Sequence, residues 1–338
     1  MRLSSVRLFL PLLLACGVLQ AQVPRVGTVD YYGLRRVSRE RLDKVLNVHP
    51  GDPLPPSKGD VEDRLEEIPG IVAARLEAVC CEAGKAVLFV GVEEKAAPHF
   101  AFRSPPRSDR LLPETIVDTY RKYVGAVENA ARRGKAAEDL TQGHPLMADP
   151  DARDYQELFV TYAKENVDLI RRVLRESADE EHREIATALI NYAPKKASIV
   201  DDLQYAMQDP DENVRANAMR SLSAIAVLAR RKPDLEIKIS PTWMIEMLNS
   251  IYLSDRTRAA AALVTLTEKD SGNALAQIRE RALPSLVEMA RWNSLKHAVP
   301  AYVLLGRIAG LTAEQIEDTW GKGERESVIE TVLPGRNR

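Results

Sequence analysis

The stretch "MQDPDENVRANAMRSLSAIA", residues 207–226, contains the pattern that decides the fold. Its first part, up to Asp211, has the turn-forming and capping residues that precede a helix. Its second part places Ala218 and Leu222 four residues apart, so both lie on one face of the predicted helix. A small alanine permits close helix approach and a leucine fills the layer between helices. The stretch therefore predicts a helix that packs against other helices.

Three further segments repeat this pattern, which indicates stacked helical hairpins. They are "HREIATALINYA" (182–193), "RAAAALVTL" (258–266) and "HAVPAYVLLGRIA" (297–309), and the copies recur at intervals of about 30 to 45 residues. Each copy follows another amphipathic segment, so each repeat contains two helices. The aligned core positions are Ala186 with Ile190, Ala218 with Leu222, Ala262 with Leu266, and Ala301 with Leu305.

The copy at 207–226 resembles a HEAT repeat of the bacterial short type. The resemblance implies that an aspartate of each turn caps the second helix and that an arginine of its first turn hydrogen-bonds between layers. It implies an all-α HEAT-like solenoid over residues 115–338, with a polar ladder that weakens in the last copy, near Lys296. The matching pairs are Asp179 with Arg183, Asp211 with Arg215, and Asp255 with Arg258, which is one residue early.

Residues 22–94 predict a small α+β domain with the element order β-α-α-β-β. "VGTVDYYGL" (26–34) is rich in β-branched and aromatic residues and predicts a strand. Ser38 can cap the helix that follows, and a second helical pattern comes after it. "IVAARLEAVCC" (71–81) and "AVLFVGVEE" (86–94) then alternate as the two strands of a hairpin.

This order resembles a POTRA domain, the periplasmic module of outer-membrane assembly proteins and of some cell-division proteins. The resemblance depends on "VDYYGLRRVS" (29–38), "GDPLP" (51–55), "LEEIPGIVAARLEAV" (65–79) and "LFVGVEE" (88–94). Such domains bind other polypeptides, often by adding a strand to their sheet edge. The resemblance therefore implies protein partners for a multi-domain chain, with a POTRA-like domain before the HEAT-like solenoid.

Residues 1–21 predict a signal peptide. Positive residues precede an apolar stretch, 8–19, that is too short to span a membrane comfortably, and Ala21 offers a small residue for cleavage. Lipoprotein processing is an alternative, because residues 13–16 resemble a lipobox that would put a lipid anchor on Cys16. No long apolar run follows, so we predict a periplasmic or otherwise extracytoplasmic protein with no transmembrane segment in the mature chain.

Residues 95–114 are rich in proline and lack periodicity, so they predict an interdomain linker. The sequence contains no Gly-rich phosphate loop, no G-x-S-x-G and no H-E-x-x-H, and its 5 histidines lack metal-ligand spacing. A net charge of −2 predicts no attraction to nucleic acid. We therefore predict no catalytic residue, no cofactor and no metal site.

Together these features predict a non-enzymatic adaptor of the bacterial cell envelope whose two modules each bind a polypeptide partner. One alternative is an envelope enzyme or regulatory subunit with an unrecognised site near residues 94–154. Another is a purely structural lipoprotein anchored through Cys16. The sequence does not identify the partner, the oligomeric state or the binding surface.

Two adjacent cysteines, Cys80 and Cys81, end the first strand of the hairpin. Alternation along residues 71–81 places Cys80 on the buried face and Cys81 toward solvent. Successive side chains of a strand point to opposite faces, so an ordinary disulfide between the two is geometrically awkward. We expect Cys80 to be a small core residue. For Cys81, an intermolecular disulfide, a vicinal bridge and a free thiol stay open.

Overall fold

The computed structural model describes residues 24–269 and 272–333. The predicted signal peptide, residues 1–21, and Cys16 lie outside the described residues. Within the described ranges, none of the helices combines the length and the apolar character needed to cross a membrane. A small α/β region comes first and is followed mostly by helices, as the sequence predicts.

The N-terminal region is a three-stranded mixed sheet with two helices. Its elements are β1 (Val26–Tyr32), α1 (Arg39–Leu46), α2 (Lys58–Glu66), β2 (Ile71–Glu82) and β3 (Lys85–Glu94). β3 lies in the middle of the sheet, parallel to β1 and antiparallel to β2. A parallel pair needs a crossover connection, which α1, α2 and β2 supply here. The Ser57 hydroxyl caps α2 by accepting a hydrogen bond from the Asp60 backbone nitrogen at 3.2 Å.

The two helices cover one face of this sheet. Aliphatic side chains recur at helical spacing on α1 and α2 and at every second position on β2 and β3. The apolar face of each helix packs against the apolar face of the sheet, and these side chains form the core of the region. The buried residues of this layer include Leu42, Leu46, Val61, Leu65, Leu76, Leu88 and Val90.

The regular structure in the rest of the described chain is helical apart from one short hairpin and two 3₁₀ turns. The elements are α3 (Glu114–Arg132), β4 (Glu138–Asp139), β5 (Leu146–Met147), α4 (Pro150–Glu176), α5 (Glu180–Ile190), α6 (Val200–Ala206), α7 (Glu212–Arg231), α8 (Thr242–Met247), α9 (Leu253–Leu266), α10 (Gly272–Arg281), α11 (Leu283–Ala290), α12 (Leu295–Ile308), α13 (Ala313–Gly321) and α14 (Arg325–Val332). The 3₁₀ turns are Lys196–Ile199 and Pro233–Leu235.

Most of these helices pack as successive pairs. Helix α4 packs against α5, α6 against α7, α8 against α9, and α11 against α12. The second helices of the pairs, α5, α7, α9 and α12, also contact one another in chain order. The short turns inside each pair therefore follow one another along one side of the helical region.

The second face of the sheet packs against the C-terminal helices. Tyr32 of β1 and Phe89 of β3 lie edge-on to the indole of Trp292, with ring centroids 6.0 and 5.1 Å from it. Trp292 follows α11, is 2% exposed, and donates a hydrogen bond from Nε1 to the carbonyl oxygen of Tyr31 at 3.0 Å. The buried indole both packs its rings against aromatic side chains of the sheet and hydrogen-bonds its Nε1, so it anchors the sheet to the C-terminal helices. The sheet is enclosed between its own helices and the helical region.

Two carboxylates bind backbone N–H groups across this interface. Asp30 of β1 accepts hydrogen bonds from the two backbone nitrogens of residues 293–294, at 2.8 and 3.0 Å. Glu288 of α11 accepts from those of residues 33–34, also at 2.8 and 3.0 Å. Each carboxylate satisfies donors that the interface removes from water. The docking is thus specified by backbone positions as well as by apolar contact.

The segment before α3, predicted as a linker, lies against the turns of the helical region. The Arg103 backbone nitrogen donates to the Gln208 carbonyl oxygen at 2.8 Å. The Ser108 nitrogen donates to the Glu176 carbonyl oxygen at 3.0 Å. The segment therefore passes the turn before α7 first and the turn before α5 second, in the reverse of their chain order. It joins the two regions and is itself hydrogen-bonded in place.

We expect Trp292→Ala to lower the free energy of unfolding by about 3–5 kcal/mol, because it removes a buried indole. Trp292→Phe keeps ring contacts with Tyr32 and Phe89 but loses the hydrogen bond to Tyr31, and we expect it to cost about 1–2 kcal/mol. Urea denaturation followed by circular dichroism measures both. A cost below about 0.5 kcal/mol for the alanine variant would contradict the docking described here.

Candidate functional site

Three buried arginines connect successive turns of the helical region. Arg183, Arg215 and Arg256 lie in the first turns of α5, α7 and α9, and are 2%, 0% and 2% exposed. A buried charge is costly unless it is paired and hydrogen-bonded. Each guanidinium has at least one carbonyl oxygen of its own turn and a carboxylate further along the chain as partners, while Nη2 of Arg215 and Nη1 of Arg256 make no hydrogen bond to a described residue. We call the three arginines and their carboxylate partners, Asp209, Asp255 and Glu288, the arginine ladder.

Arg183 makes the first rung. It donates to the carbonyl oxygens of residues 177–178, both at 3.0 Å, and to both carboxylate oxygens of Asp209 at 3.0 Å. The planar guanidinium fork suits this two-point contact with a carboxylate. Asp209 also accepts a hydrogen bond from the Asp211 backbone nitrogen at 3.0 Å. One carboxylate therefore fixes both the arginine of the preceding turn and the backbone of its own turn.

Arg215 repeats this arrangement one turn later. It donates to the carbonyl oxygens of residues 209–210, both at 2.9 Å, and its Nε lies 3.0 and 3.1 Å from the two carboxylate oxygens of Asp255. Burial raises the pKa of Asp255, and the positive charge of Arg215 opposes that shift. The pair is therefore mutually dependent: without the arginine, Asp255 would be a buried carboxylate with its cation removed.

Arg256 links the ladder to the N-terminal region. Its Nε donates to the Ser250 carbonyl oxygen at 2.5 Å, and its Nη1 lies 3.5 Å from a Glu288 carboxylate oxygen. Glu288 is the same residue that accepts the hydrogen bonds of residues 33–34. The last carboxylate of the ladder is thus also a docking residue for the sheet.

The residues predicted for the first two turns lie in these contacts. Asp179 and Asp211 immediately precede α5 and α7, and their carboxylates accept hydrogen bonds from the backbone nitrogens of His182 and Val214, both at 3.0 Å. Arg183 and Arg215 belong to the ladder. In the last copy the equivalent position is Ala298, which is fully buried, so Lys296 makes no rung.

The prediction for the third copy is wrong in register. Arg258 is exposed, and Arg256 is the ladder residue. Helix α9 begins after Tyr252, which makes no side-chain capping bond. Because no aspartate immediately precedes this helix, the sequence pattern wrongly indicates Asp255 as the capping residue. It lies inside the first turn of α9 and accepts from the preceding ladder arginine.

The same shift affects the predicted repeat core. Counted from the ladder arginines, the third-copy equivalents are Ala259 and Leu263, which are both fully buried. Ala262 is also buried, at 2% exposure, but Leu266 is only partly buried. The remaining predicted core residues are fully buried: Ala186, Ile190, Ala218, Leu222, Ala301 and Leu305.

Sequence reasoning missed Arg103, which reaches the ladder from the segment before α3. Its guanidinium pairs with Asp209 and lies over the ring of Tyr205, 3.8 Å from the centroid. The neighbouring Phe102 lies under the guanidinium of Arg215 at 4.4 Å. The alternation of aromatic residues with an arginine in "HFAFRS" (99–104) was the available signal, since such a pattern is unusual for a solvated linker.

The outer edge of β2 is only partly covered. The outward backbone nitrogens of Ala74 and Leu76 donate to carboxylates of α2, those of Glu66 and Glu62, at 2.9 and 2.7 Å. Farther along the strand, the outward N–H groups within residues 78–80 have no hydrogen-bond partner among the described residues. This stretch is therefore an open strand edge, a surface on which another strand can pair.

A disulfide joins Cys80 to Cys81 at this open end of β2. Both residues are exposed, so the expectation that Cys80 is a core residue is wrong. Ala74 and Leu76 share its face of the strand and are buried under the helices, at 0% and 4% exposure. Ala78 is already exposed. The strand extends past its helices, and the alternating pattern cannot show where that cover ends.

Lys196 and His144 form a second buried polar site, away from the ladder. Lys196 Nζ lies 3.1 Å from His144 Nδ1 and donates to the carbonyl oxygen of Asn191. Burial lowers the pKa of Lys196 to about 7; burial and the nearby Lys196 charge lower that of His144 to about 4. The imidazole is thus neutral at pH 7 and can accept from the lysine. Among the described residues, no group of three or more His, Cys, Asp or Glu side chains could hold a metal ion.

We expect Arg256→Met to destabilise the protein by about 1–3 kcal/mol, because it leaves the Ser250 carbonyl oxygen without its donor and removes one of the two cations beside Glu288, which keeps Arg35 and two backbone N–H groups. Arg258→Met, two residues away on the exposed face of the same helix, should change stability by less than about 0.5 kcal/mol. Chemical denaturation of the two variants beside the parent protein measures the difference. Equal effects, or a larger one at Arg258, would mean that α9 has the register predicted from sequence.

Protein prepared without reductant from residue 22 onward should contain no free thiol. After denaturation and reduction, a thiol-reactive label should add to both Cys80 and Cys81. Intact mass before and after reduction gives the count, and a non-reducing gel should show a monomer. Two free thiols in the unreduced protein, or a disulfide-linked dimer, would contradict the vicinal bridge.

Comparison with known proteins does not extend these assignments. No protein-family model matches the chain, and no curated protein shows significant similarity to it. The POTRA-like and HEAT-like resemblances therefore depend on the residues and element order described above, and they stay predictions.

Proposed function

We infer that the protein is a non-enzymatic adaptor of the bacterial cell envelope that binds polypeptide partners. In this proposal, residues 22–94 act as a POTRA-like module and the helical region acts as a HEAT-like solenoid. The chain is exported by its N-terminal segment, with a lipid anchor on Cys16 as the alternative form of attachment.

The helical contacts support the solenoid part of the proposal. Stacked helix pairs bury a continuous core between neighbours, and repeat proteins of this kind present extended surfaces to partners. The arginine ladder gives each turn a fixed position relative to the next, since Arg183 and Arg215 each join two turns. A partner that binds several repeats would therefore find their relative positions already fixed, and little conformational entropy of the repeats would be lost on binding.

The docking of the sheet supports a joint action of the two modules. Trp292, Asp30 and Glu288 fix the sheet on the C-terminal helices. A polypeptide held at the sheet would therefore lie at a set distance and angle from one held by the helices. Holding two partners in a fixed relation is the physical task of an adaptor.

The observation that carries the proposal is the open edge of β2 at residues 78–80. Natural proteins commonly block exposed strand edges, because such edges pair with other chains. Here Glu62 and Glu66 occupy the neighbouring outward N–H groups, and the edge beyond Leu76 is left unpaired among the described residues. Main-chain pairing at this edge would supply affinity for an added strand.

Ala78→Pro tests this edge without disturbing β2–β3 pairing, because the N–H that it removes points outward. Ala78→Thr, which favours strand structure, is the matched control. The immobilised parent protein should retain a specific polypeptide from envelope extract, with cross-links to β2. We expect the proline variant to lose that polypeptide and the threonine variant to keep it. Retention by the proline variant at the parental level would contradict binding at this edge.

The alternative, an enzyme or regulatory subunit, is favoured by one observation. His144 lies in the 94–154 region and contacts Lys196, a buried amine with a lowered pKa. Perturbed titratable groups beside a cleft mark candidate functional sites. Turnover of any substrate in a screen that disappears in Lys196→Met would favour this alternative over the adaptor.

A further inference from the structure

A cleft of about 650 Å³ lies beside Lys196. It opens between the loop that precedes β5, the 3₁₀ turn Lys196–Ile199, the end of α7 and the segment that follows α7. Its volume is in the range of small-molecule sites, which usually combine an apolar wall with a few polar groups. Its lining has both of these components.

The polar part of the lining carries an unbalanced positive charge. Lys195, Lys196 and Lys232 line the cleft, and no carboxylate side chain does. None of these lysines forms an ion pair with another described residue. Acidic residues of the same segments, Asp139, Asp234 and Glu236, lie outside the lining.

A second cleft of similar size shows that this imbalance is not general. It lies between the sheet and α11, has a volume of about 690 Å³, and is also lined by three basic residues. Each of those arginines is paired with a carboxylate: Arg35 with Glu288, Arg39 with Asp43, and Arg291 with Glu326. The unpaired cations are therefore a property of the cleft at Lys196.

Lys196 itself has a donor to spare. Its side chain is 6% exposed and directs hydrogen bonds to the Asn191 carbonyl oxygen and to His144 Nδ1. An ammonium has three N–H donors, so one remains. Both partners are neutral, and burial without a countercharge lowers the pKa of Lys196 to about 7. A bound anion would provide the countercharge that the described residues do not.

The other wall of the cleft is apolar. Leu228, Leu235 and Ile237 line it, and Leu235 is 44% exposed, which makes it one of the large apolar side chains left open to solvent. Leu228 is already buried, so hydrocarbon bound in the cleft would remove from water mainly the apolar surface of Leu235 and Ile237. The two walls together match a molecule with one charged end and one apolar end.

We propose that this cleft binds a small anionic amphiphile, whose carboxylate or phosphate lies at Lys195, Lys196 and Lys232 and whose apolar chain covers Leu228, Leu235 and Ile237. The ligand site is additional to the polypeptide-binding edge of β2 and does not depend on it. His144 positions the Lys196 amine and does not contact the ligand's charged group.

Calorimetric titration of the chain from residue 22 onward tests both halves of the ligand. Octanoate and octyl phosphate are the probes, and they distinguish a carboxylate from a phosphate head group. Octanol lacks the charge and inorganic phosphate lacks the chain. We expect at least one octyl anion to bind, and both controls to bind at least tenfold more weakly. The Lys196 Nζ resonance should titrate near pH 7 in the free protein and at least one pH unit higher with the bound anion.

Lysine variants locate the site. Lys196→Met should weaken binding of the octyl anion at least tenfold, whereas Lys164→Met, on the exposed surface of α4, should leave it unchanged. The double variant Lys195→Met/Lys232→Met changes only exposed residues, so it tests the site even where Lys196→Met does not fold. Octanol binding as tightly as octanoate, phosphate binding as tightly as octyl phosphate, no binding of either anion, or full affinity in the double variant would each overturn the proposal.

Discussion

The need of buried guanidinium groups for hydrogen-bond acceptors and for a countercharge is the constraint on which this structure depends. A turn between two packed helices leaves carbonyl oxygens without intrahelical donors. Arg183, Arg215 and Arg256 each satisfy at least one such oxygen, and each also needs a carboxylate. Asp209 in the turn before α7 pairs with Arg183, Asp255 in the first turn of α9 pairs with Arg215, and Glu288 within α11 pairs with Arg256. Local hydrogen-bond satisfaction thus forces contact between successive repeats. Because each ladder arginine binds both its own turn and a carboxylate farther along the chain, the hydrogen bonds of single turns also position successive helix pairs.

Asp209 and Glu288 show how the rest of the chain uses the same contacts. Asp209 receives Arg183 from the preceding turn and Arg103 from the segment before α3. Glu288 receives Arg256 and two backbone N–H groups of the sheet region. The segment before α3 and the sheet region, which are not part of the repeats, are therefore both attached at carboxylates that also bind ladder arginines. Attachment at shared acceptors makes the sheet, the segment and the repeats mutually dependent.

The sequence predicted what local patterns determine. The order β-α-α-β-β and the helical region beyond it follow from periodicity, and the turns at Asp179 and Asp211 follow from capping residues placed four positions before an arginine. Helix α9 begins after Tyr252, which makes no capping bond, so the sequence pattern indicates Arg258 where the ladder residue is Arg256. A repeat can lose its capping signal and keep its arginine, because the two residues satisfy different backbone groups.

Contacts between distant segments were beyond sequence reasoning for a different reason. Nothing near Glu288 indicates that it faces Arg256 and residues 33–34, since the residues are brought together only by the path of the chain. The same holds for Lys196 and His144, which lie on separate loops. Cys80 was misplaced because strand alternation gives the direction of a side chain and not the extent of the helices above it.

The docking of the first region on the last turns has a consequence for how the chain is made. The hydrogen bonds from Tyr32 to Ile251 and from Ser294 to Asp30 join residues 219 and 264 positions apart. During synthesis the sheet region is made before the C-terminal helices, and the face with Tyr32 and Phe89 stays uncovered until the residues around Trp292 have followed. Contacts of such sequence separation form late and slowly, and exposed apolar surface in the interval favours aggregation. The same closure that joins the two regions of the folded protein leaves this face of the nascent chain open to non-native contacts until nearly all of the chain has been made.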